Sequence, residues 1–371
     1  MFDDGLDHVL DDLYGEDELG KVAARADLTA MHDHSTTDAT AVHELIARKV
    51  WHMLRRLGIN GGRMLTIGQD PETFAGVPAD ERRLNPGEMT GLAATIPPRP
   101  GPVGLPPHPG LRMRAWDRND DPSQFDVVIA VPIYSDVALH GRGTADKRRI
   151  EQIMGVVGCL ANTEPGGFTV ALTARDVLDD PDAESRRLLA EFGELVGAVR
   201  LPSGALRPAN PGNDAVVDLL VLRRHYGHPI HPPTFLPAPV QRLSGHEVTI
   251  SQYFRTHPKQ VLGRLDARGT VWGVPEVVVH PTGLGLNQDL TYGLGQIVER
   301  ARRTGLTANT DHSVDLDAPI EHTLAHHDDL DTVRQRIEHI RGRRPRAARP
   351  RPASPDVPEP PPQPRPEPPS V

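Results

Sequence analysis

The sequence predicts an α/β protein with a mostly parallel sheet, closed at one edge by an antiparallel hairpin. Three observations carry this. Short continuous apolar runs recur, FDVVIA (125–130) and FTVALT (168–173) among them, as in strands covered on both faces. Segments with apolar residues at helical spacing alternate with them, which argues for helices on both sides of the sheet. Finally, ELVGAVRLP (194–202) and AVVDLLVLRR (215–224) are separated only by a loop rich in Pro, Gly and Asn. That loop is too short for a crossover helix, so the second strand runs antiparallel to the first.

In chain order, Val42, Leu45, Ile46, Val50, Met53, Leu54 and Leu57 fall on one helical face, predicting a helix over 39–57 that Gly58 ends. RMLTIG (63–68) follows the Gly61-Gly62 turn as a short strand. TIPPRPGPVGLPPHPG (95–110) holds seven prolines in sixteen residues and reads as a long surface loop, because proline supports neither helix nor central strand. A helix at 146–161 precedes the strand at 168–173, with Glu164-Pro165-Gly166-Gly167 as its stop, and a further helix covers 182–193. Beyond the hairpin, 248–263 reads as a helix with its approach, and 286–306 as a helix. Leu330, Val333, Ile337 and Ile340 mark another helix over 328–342, with too few heptads for a coiled coil. The organisation expected is an acidic N-terminal segment (1–38), an α/β domain (39–230), a small helical or irregular subdomain (231–310), a helical extension (311–340) and a disordered Pro/Arg-rich tail (341–371) with twelve prolines.

Composition narrows the function classes. A balance of 41 Lys+Arg against 50 Asp+Glu, net −9, argues against a chain whose main task is coating nucleic acid, while leaving room for a local basic patch. A single cysteine, Cys159, excludes a disulfide framework and a cysteine-based zinc cluster. No basic-then-apolar leader and no run of membrane-spanning length is visible, so a soluble, cytoplasmic protein with no membrane partner is expected. There is no Walker phosphate loop, no H-E-x-x-H and no G-x-S-x-G elbow. The GLGLN at 283–287 lacks a third glycine and reads as a loop. Histidines cluster at 32/34, 225/228/231 and 322/326/327, but these positions flank loops or charged segments, and no metal site is expected.

The most informative segment is FDVVIAVPIYSD (125–136), a buried strand delivering a proline and an aromatic residue at its carboxyl end, where open α/β sheets bind ligands. Together with ADLTAMHDHSTTD (26–38), LRRLGINGGRMLTIGQDPETFAG (54–76), EPGGFTVALTARDVLDD (164–180), the 186–224 stretch and ISQYFRTHPKQVLG (250–263), it resembles the adenine-N6 DNA methyltransferases. It is similar in particular to the methylase part of helicase-methylase proteins of bacterial mobile elements, over roughly residues 12–308. The resemblance implies a Rossmann-like fold of the S-adenosylmethionine-dependent methyltransferase type, with 26–38 closing over the cofactor and DNA as partner.

Departures from the family pattern fall where the chemistry belongs. The gapless match to the catalytic N-P-P-Y motif is Val131-Pro132-Ile133-Tyr134, with valine where an asparagine would hold the target amino group. Losing such oriented hydrogen bonds costs roughly 3–6 kcal/mol of transition-state stabilisation. Pro71 and Glu72 stand in the glycine-dense cofactor loop, and Arg83 where an acid would bind the ribose. Gly68, Asp70, Phe74 and Asp117 remain to line any S-adenosylmethionine pocket, and weak or absent binding is expected. Tyr134 either stacks on a flipped base, as the family implies, or packs on the sheet. Three readings stay open: a degenerate methyltransferase acting as a nucleic-acid-binding or accessory subunit beside an active methylase or helicase; an active enzyme with atypical motifs; and a structural accessory acting through residues 312–371.

Overall fold

The computed structural model describes residues 3–84, 90–96, 114–115, 124–208, 210, 215–226 and 233–308. Asp117, the 328–342 helix and the Pro/Arg-rich tail lie outside the described residues.

Two N-terminal helices, α1 (Asp3–Tyr14) and α2 (Glu18–Thr36), lead into α3 (Thr40–Arg56). Of the stripe expected on α3, Ile46, Val50, Met53, Leu54 and Leu57 are enclosed, as is Trp51 beside them, while Val42 and Leu45 are half-buried. Gly58, at φ +107°, ends it as the sequence indicates. Strand β1 (Gly62–Gly68), the short helix α4 (Pro71–Ala75), β2 (Thr90–Ile96), β3 (Arg114–Ala115) and β4 (Phe125–Val131) follow. Next come α5 (Arg142–Ala161), β5 (Thr163–Ala174), α6 (Asp176–Asp179), α7 (Glu184–Phe192), β6 (Gly193–Arg200) and β7 (Val217–Arg224).

These strands form one seven-stranded sheet in the order β3-β2-β1-β4-β5-β7-β6. Five of the seven point the same way; β2 and β7 are reversed. The molecule is therefore a mixed α/β structure. The hairpin lies at the sheet edge as expected, with the reversed β7 inserted between β5 and β6. β7 is buried along its whole length, which suits its unbroken apolar run. β6 is outermost, and its edge is covered where Leu262 donates to the Arg200 carbonyl. Helices α3, α4 and α9 (Leu286–Thr304) bury one face of the sheet; α5 and α7 bury the other.

Three expectations are corrected. β2 is a strand although its centre, Gly91-Leu92-Ala93-Ala94, lacks the β-branched residues that signal one, and it takes Thr95 and Ile96 from the expected loop. β5 starts at Thr163 because Gly166, at φ +84°, bends within the strand instead of ending the preceding helix outside it. The 231–310 region also carries two antiparallel hairpins, β8 (Val240–Leu243) with β9 (His246–Thr249), and β10 (Gly263–Arg268) with β11 (Glu276–Pro281). The first turns through Ser244-Gly245, both at positive φ, the geometry a two-residue hairpin requires. Between the hairpins, the helix expected over 248–263 shrinks to α8 (Gln252–Thr256) and a 3-10 turn at Pro258–Gln260.

Among the described residues no helix is long and apolar enough to cross a membrane.

Candidate functional site

Strand order reverses its sense between β1 and β4, and there Gly68 pairs with Val131. The carboxyl ends of these two strands define the crevice in which an open α/β sheet binds ligands. Seven of the eight site residues expected from sequence meet here: Gly68, Asp70 and Phe74 after β1, and Val131, Pro132, Ile133 and Tyr134 after β4.

Their surroundings are closed. A Cβ on Gly68, whose φ is +104°, would stand 2.2 Å from the Val131 carbonyl oxygen, so strand contact itself demands glycine here. Every residue of α4 is buried. Phe74 is 1% exposed, lies in the core, and its carbonyl accepts a 2.9 Å bond from the Trp51 indole. The Glu72 carboxylate turns inward and accepts the backbone N–H of Arg83 and of Leu84 at 3.0–3.1 Å. Arg83 itself is exposed. Val131 belongs to the apolar core. After it the chain makes a tight turn in which Ser135 donates to the carbonyls of Pro132 and Leu172, at 2.6 and 3.1 Å, while Gln152 donates to that of Ile133. Tyr134 sits at φ +60°, uncommon for a residue with a side chain, and its ring meets His34 edge-on with centroids 5.0 Å apart.

A polar cluster missed by the sequence reading fills the space between these loops. Asp136 accepts from Arg207 at 2.5 Å, and its other oxygen lies 3.0 Å from His34 Nε2. The remaining nitrogens of Arg207 donate to the Gln69 side chain (3.2 Å) and the Thr37 carbonyl (3.0 Å). His34, Gln69, Asp136 and Arg207 are all buried. Burial opposes the charge on Asp136, yet the hydrogen bond from His34 and the Arg207 guanidinium outweigh it and hold the carboxyl below its ordinary value. Beside this cluster, Asp70, at φ +47°, bonds His43 Nδ1 at 2.6 Å. Burial again works against Asp70, and the His43 bond more than offsets it, so this carboxyl too is lowered. Two His–Asp pairs thus fasten helices α2 and α3 onto the strand ends. Neither presents a free imidazole edge: His34 Nδ1 and His43 Nε2 are both buried without a hydrogen-bond partner.

Asp27 of α2 completes the attachment. It is fully buried and accepts from the N–H of His140 and Gly141 and from the Thr144 hydroxyl, at 2.6–2.9 Å, at the start of α5. A carboxylate is favourable there because a helix N-terminus carries partial positive charge and unsatisfied N–H groups.

Cys159 is buried, which pushes its thiol up to about 12 and removes it as a nucleophile. His225 donates its Nε2–H to the Ala190 carbonyl at 2.9 Å. Among the described residues no group of three His, Cys, Asp or Glu is placed to hold a metal.

No protein-family model and no curated protein matches the chain. Among solved structures it is similar to one reported as "Structural basis underlying complex assembly and conformational transition of the type I R-M system", at 16% identity and a TM-score of 0.23. The match covers 66% of this chain and 50% of that one, so this chain spans half the length of that neighbour. At that score the likeness carries no argument about function.

Proposed function

We propose that this chain is a DNA adenine-N6 methyltransferase-like domain that has given up methyl transfer and acts as a nucleic-acid-binding or accessory subunit beside an active methylase or helicase. One observation supports this reading above the rest. The strand-end crevice is packed with the protein's own side chains, the His34–Asp136–Arg207–Gln69 cluster and the buried α4. S-adenosylmethionine does not fit these residues. A methyl donor needs small residues and open backbone, whereas Glu72 is spent on the N–H groups of Arg83 and Leu84, and Gly68 faces the Val131 carbonyl. Valine at 131 offers nothing to hold an exocyclic amine in line with a methyl group.

Calorimetric titration with S-adenosylmethionine tests this directly. No saturable heat is expected, and a micromolar dissociation constant would overturn the reading in favour of an active enzyme. A companion assay follows labelled methyl transfer to mixed-sequence duplex DNA. Neither the native chain nor Val131→Asn should transfer methyl groups, because an oriented amide accelerates nothing without a donor beside it. A variant combining Val131→Asn with a glycine-rich 66–72 loop and Arg83→Asp restores the motif residues but leaves His34, Asp136 and Arg207 in the crevice, and is expected to stay silent as well. Activity in the native chain would show that the motif is misread.

A further inference from the structure

On the far half of α3, away from the strand ends, a groove of about 420 Å³ runs between α3 and α9. Its α3 wall carries Arg48, Lys49, His52 and Arg56, and its floor includes Leu45 and Leu294. Glu299 answers Arg56 at 2.9 Å. Arg48 and Lys49 have no carboxylate partner among the described residues. Burial, together with the charges of Arg56 and Lys49, keeps His52 below its ordinary value.

The chain itself supplies the complement. After α9, Gly305 turns left-handed and Ala308 donates to the Leu57 carbonyl at 2.8 Å, so the chain arrives at the carboxyl end of α3, next to Arg56. The next stretch reads NTDHSVDLDAPIEHTLAHHDDLD (309–331), with seven carboxylates and neither lysine nor arginine. Within it, Val314-Asp315-Leu316-Asp317 alternates apolar with acidic residues. In an extended segment this places both aliphatic side chains on one side and both carboxylates on the other, matching an apolar floor beside a cationic wall.

We propose that the acidic segment 311–321 of this same chain docks in the α3–α9 groove, with its carboxylates on Arg48 and Lys49. Reach is sufficient. From residue 56 back to 48 is eight residues of helix, roughly 12 Å, whereas the seven residues 311–317 extend to roughly 23 Å. Single surface ion pairs are weak, but a short tether raises the local concentration to about the millimolar range, and that makes several of them effective together.

The chain has only four lysines, at 21, 49, 147 and 259, which makes zero-length carbodiimide coupling of the native full-length protein decisive. Lys21, 2.6 Å from Asp11 and 2.9 Å from Glu18, is the internal positive control. Peptide mapping should find Lys49 coupled to carboxylates within 311–321. In a mixture of isotope-labelled and unlabelled chains, the coupled peptides should come from one chain. Yield should fall several-fold in 1 M salt, where charge interactions reach only about 3 Å, and in the full-length Asp315→Asn/Asp317→Asn variant, with Lys21 coupling unchanged by the variant. Absence of Lys49–segment coupling while Lys21 couples would overturn the proposal. So would coupling found only between chains, which would mark a dimer contact. Protection of Lys49 by added duplex DNA, with no segment coupling in its absence, would assign the groove to nucleic acid and also refute it.

Discussion

Two buried arginine–carboxylate centres hold this molecule together, and they are built differently. Arg200 lies on β6 directly opposite Asp218 on β7, and the two form a two-pronged pair at 2.8 Å through both carboxylate oxygens. Its third nitrogen lies 2.9 Å from Asp179, and its plane stands over the Phe254 ring at 4.1 Å. Asp179 in turn accepts the Ser251 N–H at 2.8 Å, which ties the C-terminal hairpin region to the sheet. Arg207, by contrast, is carried on a loop. Its partners, Asp136, Gln69 and Thr37, come from three separate segments. In the first centre Arg200 serves Asp218 and Asp179 at a position set by strand register; Asp179 is also met by Arg175 at 3.1 Å, whereas Asp218 has Arg200 alone among the described residues. In the second, one carboxylate has both a guanidinium and a histidine. Asp218 therefore depends on a single partner, and Asp136 on two.

That contrast orders the expected effects. Arg200→Met strands the fully buried Asp218, while Asp179 keeps Arg175 and the Ser251 N–H, and should cost about 3–5 kcal/mol, read as a lower urea midpoint at unchanged slope. Arg207→Met leaves Asp136 its bond to His34, so a loss of about 2 kcal/mol is expected. A loss as large as that of Arg200→Met would erase the distinction between the centres. A further effect appears in pH. In the Arg200 centre, burial and the second carboxylate push Asp218 up to about 6 despite Arg200. The folded chain therefore takes up a proton there before the unfolded chain does, and this group adds stability as pH falls from 7 toward 4. Asp136 and Asp70 are lowered, so their contribution is present above the ordinary carboxylate range and is lost as pH falls below about 4. Chemical denaturation across pH 3–7 should show a shallow rise and then a fall. Asp218→Asn should remove the rise alone, and Arg207→Met should flatten the fall.

Much of the scaffold is legible in the sequence because burial writes itself as pattern. β4 and β7 are continuous apolar runs, and α3 and α9 are single apolar stripes closed by glycines. β2 escapes because alanine and glycine fit a covered strand without advertising one. The seven described candidate residues do gather at the strand ends, since an apolar strand followed by Pro and Tyr marks a carboxyl terminus in a parallel sheet. What closes that place is not legible. Arg207 and Gln69 are 138 residues apart, and Gln69 and His34 are 35 apart. A polar residue in a loop has no periodicity, and only the topology shows which others it meets.

The attachment of α2 also dictates a schedule during synthesis. Asp27 finds its partners 113 to 117 residues downstream, and Thr37 meets Arg207 after 170. At the usual pace of about 5–20 residues per second, roughly 8–35 s separate the synthesis of Thr37 from that of Arg207. Until then α2 lacks the partners that fasten it: it is made well before the residues that hold it in place.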